Sequence, residues 1–212
     1  MSSAVSLRRS PEEYIAFERL QEIRSEYDDG VLRAMSGASR EHNVIAGNLF
    51  ATIHSQLRRG PCEAYSNDMR VAVELGRFYT YPDLAVVCGG PRFLDNQSDT
   101  LLNPTVLFEV LSPSTESYDR GRKFARYQTI ASLREVVLIS QREPRVERFE
   151  RQGDGRWTLA DDLSGLDDTL RLSSVDVTIP LSEIYERIVF PEAPPIEPGL
   201  PPTILPNGNL PI

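Results

Sequence analysis

Apolar positions recur along the chain with two periods, and the switches between them divide it into elements. Tyr14, Ile15, Phe17 and Leu20 fall at helical spacing behind Ser10-Pro11-Glu12-Glu13. That tetrapeptide supplies an N-cap serine, a proline at the first helical position and a glutamate three residues after the cap, so a helix is predicted to about Glu22. Residues 26–35 place two short apolar runs around Asp29-Gly30, the signal of a hairpin, with Glu26 at a strand entrance. From Ser39 to Arg58 the positions Val44, Ile45, Leu49, Phe50, Ile53 and Leu57 keep the helical period, and Gly60-Pro61 stops it. This is the longest predicted helix. Residues 64–65 and 70–75 alternate as strands do, and Gly76-Arg77 turns the chain into 78–81. Two almost wholly apolar strands follow, 81–88 and 105–111, separated by a polar loop over 89–103. Residues 118–130 read as a helix with Phe124 and Tyr127 inward. Beyond it come a buried strand (135–140), a half-exposed one (145–151), a turn into Trp157-Thr158-Leu159, a short strand (169–172) and a closing helix (180–188).

The two apolar strands each carry a carboxylate. Asp83 opens one and Glu109 lies toward the end of the other, each flanked by Val, Leu or Phe. An isolated ionised carboxylate in such surroundings costs several kcal/mol or takes up a proton. Two of them call for a cation, and hard oxygen ligands suit Mg²⁺ or Mn²⁺.

The totals narrow the setting. A chain of 212 residues, 40% hydrophobic, holds one domain, over 1–190, and a tail over 191–212 in which eight of 22 residues are proline. The tail is either a flexible terminus or a strap with Ile196, Leu200, Ile204 and Leu205 as apolar anchors. A net charge of −8 excludes a histone-like polycation but leaves room for a local basic strip. With two cysteines, no signal-like start and no apolar run near the length of a membrane span, the sequence predicts a cytoplasmic protein without a disulfide framework. Its two histidines, His42 and His54, do not make a structural zinc site.

A longer pattern emerges from Glu26-Tyr-Asp-Asp-Gly30, Met35-Ser-Gly-Ala-Ser39, His42, Tyr81-Pro-Asp83, Phe108-Glu-Val-Leu-Ser-Pro-Ser-Thr115, Asp119, Lys123 and Tyr127. It resembles the Uma-two family, restriction-endonuclease-like domains of the PD-(D/E)xK nuclease superfamily, over residues 10–188. The resemblance implies an α/β (α+β) fold with a restriction-endonuclease-like mixed β-sheet flanked by helices. It also implies a Mg²⁺ or Mn²⁺ held by Asp83 and Glu109, with Val110 and Glu26 as further ligands, and a nucleic acid, DNA before RNA, as substrate of a homodimer. Activity does not follow from fold alone, so a silent nuclease fold used for binding or regulation is the alternative.

The sequence departs from the superfamily at one place. Two residues after Glu109, where a lysine belongs, stands Leu111. Lys123 is the expected replacement, and it is the single lysine among 23 basic residues. An ammonium is compact and adjustable where a guanidinium is neither. The bland reading is a surface lysine that survived a drift toward arginine. His42 matches the pattern as a site residue or a structural hydrogen-bonding group, and Glu26 as a ligand or a solvated charge. Arg120, Arg122 and Arg126 either contact phosphates or form a solvated face. Tyr127 lines the cleft or joins the core, and Asp119 reads as a helix cap.

Overall fold

The computed structural model describes residues 8–35, 37–74 and 76–190. The tail and Leu75, about which expectations were formed, lie outside them. Helix α1 (Pro11–Glu18) has the full capping box at Ser10 and Glu13. It stops earlier than predicted, leaving Leu20 83% exposed. Glu18 at its end turns its carboxylate inward to accept from the Ser25 amide at 2.7 Å, the Ser25 hydroxyl at 2.6 Å and the Tyr81 hydroxyl at 3.1 Å.

Strands β1 (Ser25–Asp28) and β2 (Val31–Ala34) form the predicted hairpin, with Asp29 and Gly30 both at positive φ, as a two-residue turn of the primed type requires. They extend a five-stranded sheet in the order β2-β1-β5-β4-β7, with β4 (Arg70–Val73), β5 (Phe78–Thr80) and β7 (Thr100–Leu101). A six-stranded sheet is built from β3 (Cys62–Ser66), β6 (Leu84–Cys88), β8 (Val106–Leu111), β9 (Glu135–Ser140), β10 (Arg145–Arg151) and β11 (Trp157–Ser164). Its order is β11-β10-β9-β8-β6-β3, and it is mixed, because β8 and β9 run parallel while the other pairs are antiparallel.

Helix α2 (Arg40–Leu57), the hairpin β12 (Thr169–Leu172)–β13 (Val177–Pro180) and α5 (Leu181–Ile184) cover one face of this sheet. Ile45, Leu49, Ile53 and Leu57 of α2 pack there on Leu84, Val86, Val106, Phe108 and Val110. The intervening positions, Ala85, Val87, Leu107 and Leu111, face the opposite way and pack with Tyr127, Val71 and Phe78. Strands buried on both faces read as continuous apolar runs, the pattern that marked β6 and β8. Side chains alternate along a strand, so Glu109 shares the face of Leu107 and Leu111. That face meets the segment linking β8 to β9.

Further features differ from expectation. A four-residue α5 stands where a closing helix over 180–188 was expected, and the strand β13 before it was not expected. Strand β11 runs on past Leu159 through Asp161 and Asp162, which pair with Arg148 and Arg145 across the ladder. Its exposed face is charged, so apolar alternation missed it. Cys62 and Cys88 lie opposite each other on β3 and β6 and are joined by a disulfide, against the expectation of none. Among the described residues no helix is long and apolar enough to cross a membrane.

Candidate active site

Asp83 enters β6 already fastened to β8. Its amide donates to the Phe108 carbonyl at 3.1 Å, and its Oδ2 accepts from the Val110 amide at 2.7 Å. The same Oδ2 lies 3.2 Å from Nε2 of His42. His42 stands in the first turn of α2 because Ser39 caps that helix, its hydroxyl accepting from the His42 amide at 3.1 Å.

The linking segment brings in the lysine. It begins as α3 (Glu116–Tyr118), widens into a π turn (Asp119–Lys123) and closes as α4 (Phe124–Tyr127). The Phe124 amide reaches back five residues to the Asp119 carbonyl, the bond that defines the wider turn. Such turns recur at functional sites. This one buries both Asp119 and Lys123. The Lys123 Nζ lies 2.9 Å from Glu109 Oε1, 3.2 Å from Glu26 Oε1 and 3.8 Å from Asp119 Oδ1. Lys123 thus reaches back over the strand that ends at Leu111, and it is not a surface lysine.

Three carboxyl groups therefore share one ammonium, and two of them, Glu109 and Asp119, have raised proton affinities. Burial pushes the Glu109 carboxyl well above its ordinary range, Lys123 opposing and the charges of Asp119 and Asp83 adding to the rise. Asp119 is raised as well, first by burial. Burial alone would lower Lys123, but Glu109, Tyr127, Glu26 and Asp119 outweigh it, so the group stays an ammonium. Burial likewise opposes charging of His42, and the hydrogen bond and charge of Asp83 reverse the sign, raising it.

Asp83, Glu109, Lys123 and His42 line one cleft of about 830 Å³, together with Glu26, Tyr118 and Asp119. Among the described residues, no three His, Cys, Asp or Glu side chains gather at metal-ligand spacing. The donor set nevertheless fits Mg²⁺ or Mn²⁺, which one or two carboxylates hold while water and substrate phosphate complete the shell. The hydrogen bonds and ion pairs of Asp83 side-chain oxygens fall on Oδ2, and those of Glu109 fall on Oε1. Oδ1 and Oε2 are the atoms left for an ion. Val110 can contribute only through its main chain. Glu26 differs, since Oε1 takes Thr80 and Lys123 and Oε2 takes the Tyr118 hydroxyl at 2.9 Å.

The three arginines expected at substrate are elsewhere. Arg120 pairs with Glu116 and Glu147, Arg122 with Asp28, and Arg126 with Asp28, Asp29 and Glu74. None of them lines the cleft. Asp119 is not the N-cap, because Thr115 holds that position, and Asp119 is buried beside Lys123. Its helical spacing to Lys123 was the available signal. Thr80 and Tyr118, which hold Glu26, had none.

A family model described as "Uma2: Putative restriction endonuclease" matches residues 11–181. The chain belongs to the Uma2 family. Two relatives from Synechocystis sp. are each 34% identical: "Uncharacterized protein slr1290" over 89% of this chain and 97% of its own length, and "Uncharacterized protein sll1609" over 70% and 84%. A solved structure from Anabaena variabilis, described as a putative nuclease belonging to DUF820, superposes with a TM-score of 0.69 over 85% of this chain and 99% of its own. At 16% identity this likeness establishes a nuclease-like fold and nothing finer.

In this Uma2 chain Tyr127 lies behind the site, its fully buried hydroxyl donating to Glu109 Oε1 at 2.5 Å. Tyr127→Phe is expected to lower stability by about 1 to 3 kcal/mol, the cost of leaving a buried acceptor without its donor. Metal affinity should fall by about 10- to 100-fold, as when an outer partner of a ligand is lost. Chemical denaturation and a Mn²⁺ titration read the two effects separately.

Proposed function

We propose that this protein is a Mg²⁺- or Mn²⁺-dependent phosphodiesterase acting on nucleic acid, DNA before RNA, and working as a homodimer. The observation that carries the reading is the single lysine of the chain, buried 2.9 Å from Glu109 on the floor of a cleft that Asp83 also lines. Asp83 Oδ1, Glu109 Oε2 and the Val110 main chain would hold the ion. Once bound, it would supply charge neutralisation at the scissile phosphate and acidify water there.

The remaining roles fall to the chain's own groups. Lys123 keeps its charge and stabilises the negative charge that develops on the phosphoryl oxygens. Glu26, gripped by Thr80 and Tyr118, fixes the ammonium in place, a role that leaves it no free oxygen for the ion. Tyr127 orients Glu109, while His42 and the Val110 amide orient Asp83. Each chain carries one such centre and a duplex has two strands, so a pair of chains would cut both.

The test offers supercoiled plasmid, single-stranded DNA and RNA to the purified protein with Mg²⁺, Mn²⁺ or a chelator. Metal-dependent cleavage, strongest on DNA and abolished by Asp83→Asn, is the expected outcome. Absence of cleavage on all three substrates contradicts the reading, and so does equal cleavage by the Asp83→Asn variant.

A further inference from the structure

With Arg120, Arg122 and Arg126 committed to carboxylates, the cleft needs another source of positive charge if a polyanion is to lie across its acidic floor. Two arginines line it, Arg24 and Arg33. Arg24 is engaged, pairing with Asp68 and donating to the Asn67 carbonyl at 2.9 Å. Arg33 is not. Among the described residues no carboxylate lies within ion-pair distance of its guanidinium, and its side chain makes no hydrogen bond.

Its position is set by the hairpin. Arg33 on β2 is the direct cross-strand partner of Glu26 on β1. Facing residues of an antiparallel pair project from the same side of the ladder, with Cβ atoms about 4.5 to 5.5 Å apart. Such a neighbour would ordinarily pair with Glu26. Here the carboxylate is already taken by Thr80, Tyr118 and Lys123, and the guanidinium lies instead over the Tyr118 ring, 5.0 Å from its centroid. That stack holds an exposed, charged, otherwise unpartnered fork at the cleft wall, directly across the ladder from the Glu26 that fixes Lys123.

The geometry points to Arg33 as the residue that binds a backbone phosphate of the nucleic acid, neighbouring the phosphate that reacts. This rests on the proposed function and gives its substrate a specific contact. A planar guanidinium suits bidentate capture of a phosphate, and the stack on Tyr118 limits the freedom lost when it binds. The contact reads charge rather than base identity, so it serves any sequence.

The experiment measures binding of a fluorescein-labelled DNA duplex by anisotropy, with Ca²⁺ in place of Mg²⁺, across a series of salt concentrations. Arg33→Ala is expected to weaken binding about tenfold, the scale of one charge-assisted contact. The slope of log K against log salt should shrink by about one. Arg33→Lys should keep the slope while losing part of the affinity, and Arg122→Ala, whose guanidinium is paired with Asp28, should match wild type. Equal affinity and slope for Arg33→Ala and wild type would overturn the assignment while leaving the nuclease reading intact. Wild type that binds no DNA but does bind RNA, with the same loss in Arg33→Ala, would uphold the phosphate contact and correct the substrate. Wild type that binds neither overturns the assignment together with the function beneath it.

Discussion

Lys123→Met is expected to cleave DNA at least about a hundredfold more slowly than wild type, and Lys123→Arg is expected not to restore the rate. The first figure follows from removing a charge poised where negative charge develops, an effect worth about 10²- to 10³-fold. Methionine keeps the methylene stem, so the loss reports the ammonium rather than the packing. Arginine fails for a geometric reason: the Nζ sits among Glu109, Glu26 and Asp119 in a buried space shaped for a point charge, and a planar fork does not fit it. Stability changes too. Removing one partner of a buried ionic group costs about 3 to 5 kcal/mol, less where a carboxyl takes up a proton instead. The penalty is therefore smaller in acid than at neutral pH. Plasmid nicking gives the rates, and thermal melting at two pH values gives the second effect. A Lys123→Met enzyme that nicks at the wild-type rate sinks the role.

Glu109→Gln is expected to show the same loss of activity together with a changed pH dependence of stability. Glu109 has its carboxyl raised by burial, so above the ordinary carboxylate range of about pH 4 the folded chain binds a proton that the unfolded chain releases. With more protons on the folded state, stability falls as pH rises through that window until the folded carboxyl itself ionises. The substitution removes the titration. Metal-free Glu109→Gln loses a partner of Lys123 at every pH, so the trend is the readout: its melting temperature should rise relative to wild type as pH goes from acid to neutral. The slope is reduced rather than erased, because Asp119 is raised as well. Added Mg²⁺ should stabilise wild type increasingly with pH, since the ion displaces the proton, and should leave Glu109→Gln unmoved. Melting curves that run parallel for the two proteins, with and without metal, contradict this account.

Much of this architecture was legible because burial leaves a periodic mark. The apolar positions of α2 kept a helical period from Ile45 to Leu57, Asp29-Gly30 marked the β1–β2 turn, and the unbroken apolar runs of β6 and β8 announced strands covered on both faces. Asp83 and Glu109 stood out because they interrupt such runs. The linking segment was harder. Asp119-Arg-Gly-Arg-Lys123 is almost wholly polar, so nothing in its pattern distinguishes a π turn from an α turn, or shows that Asp119 and Lys123 are buried while Arg122 is exposed. The arginines misled for a related reason. Their carboxylate partners lie on other elements, Glu147 on β10, Asp28 at the end of β1 and Glu74 beyond β4, and only the tertiary fold brings them together. Arg33 passed unnoticed because its meaning depends on what Glu26 is already doing.

The proposed chemistry requires that Asp83 and Glu109 keep Oδ1 and Oε2 open for a divalent ion. Titrating Mn²⁺ into the protein and following the free ion by electron paramagnetic resonance tests it without any substrate. One Mn²⁺ per chain should bind to wild type, more tightly as pH rises, with binding lost in both Asp83→Asn and Glu109→Gln. If wild type leaves all the Mn²⁺ free, or if either variant binds it as tightly as wild type, the cleft is not a metal site and the proposed chemistry is wrong.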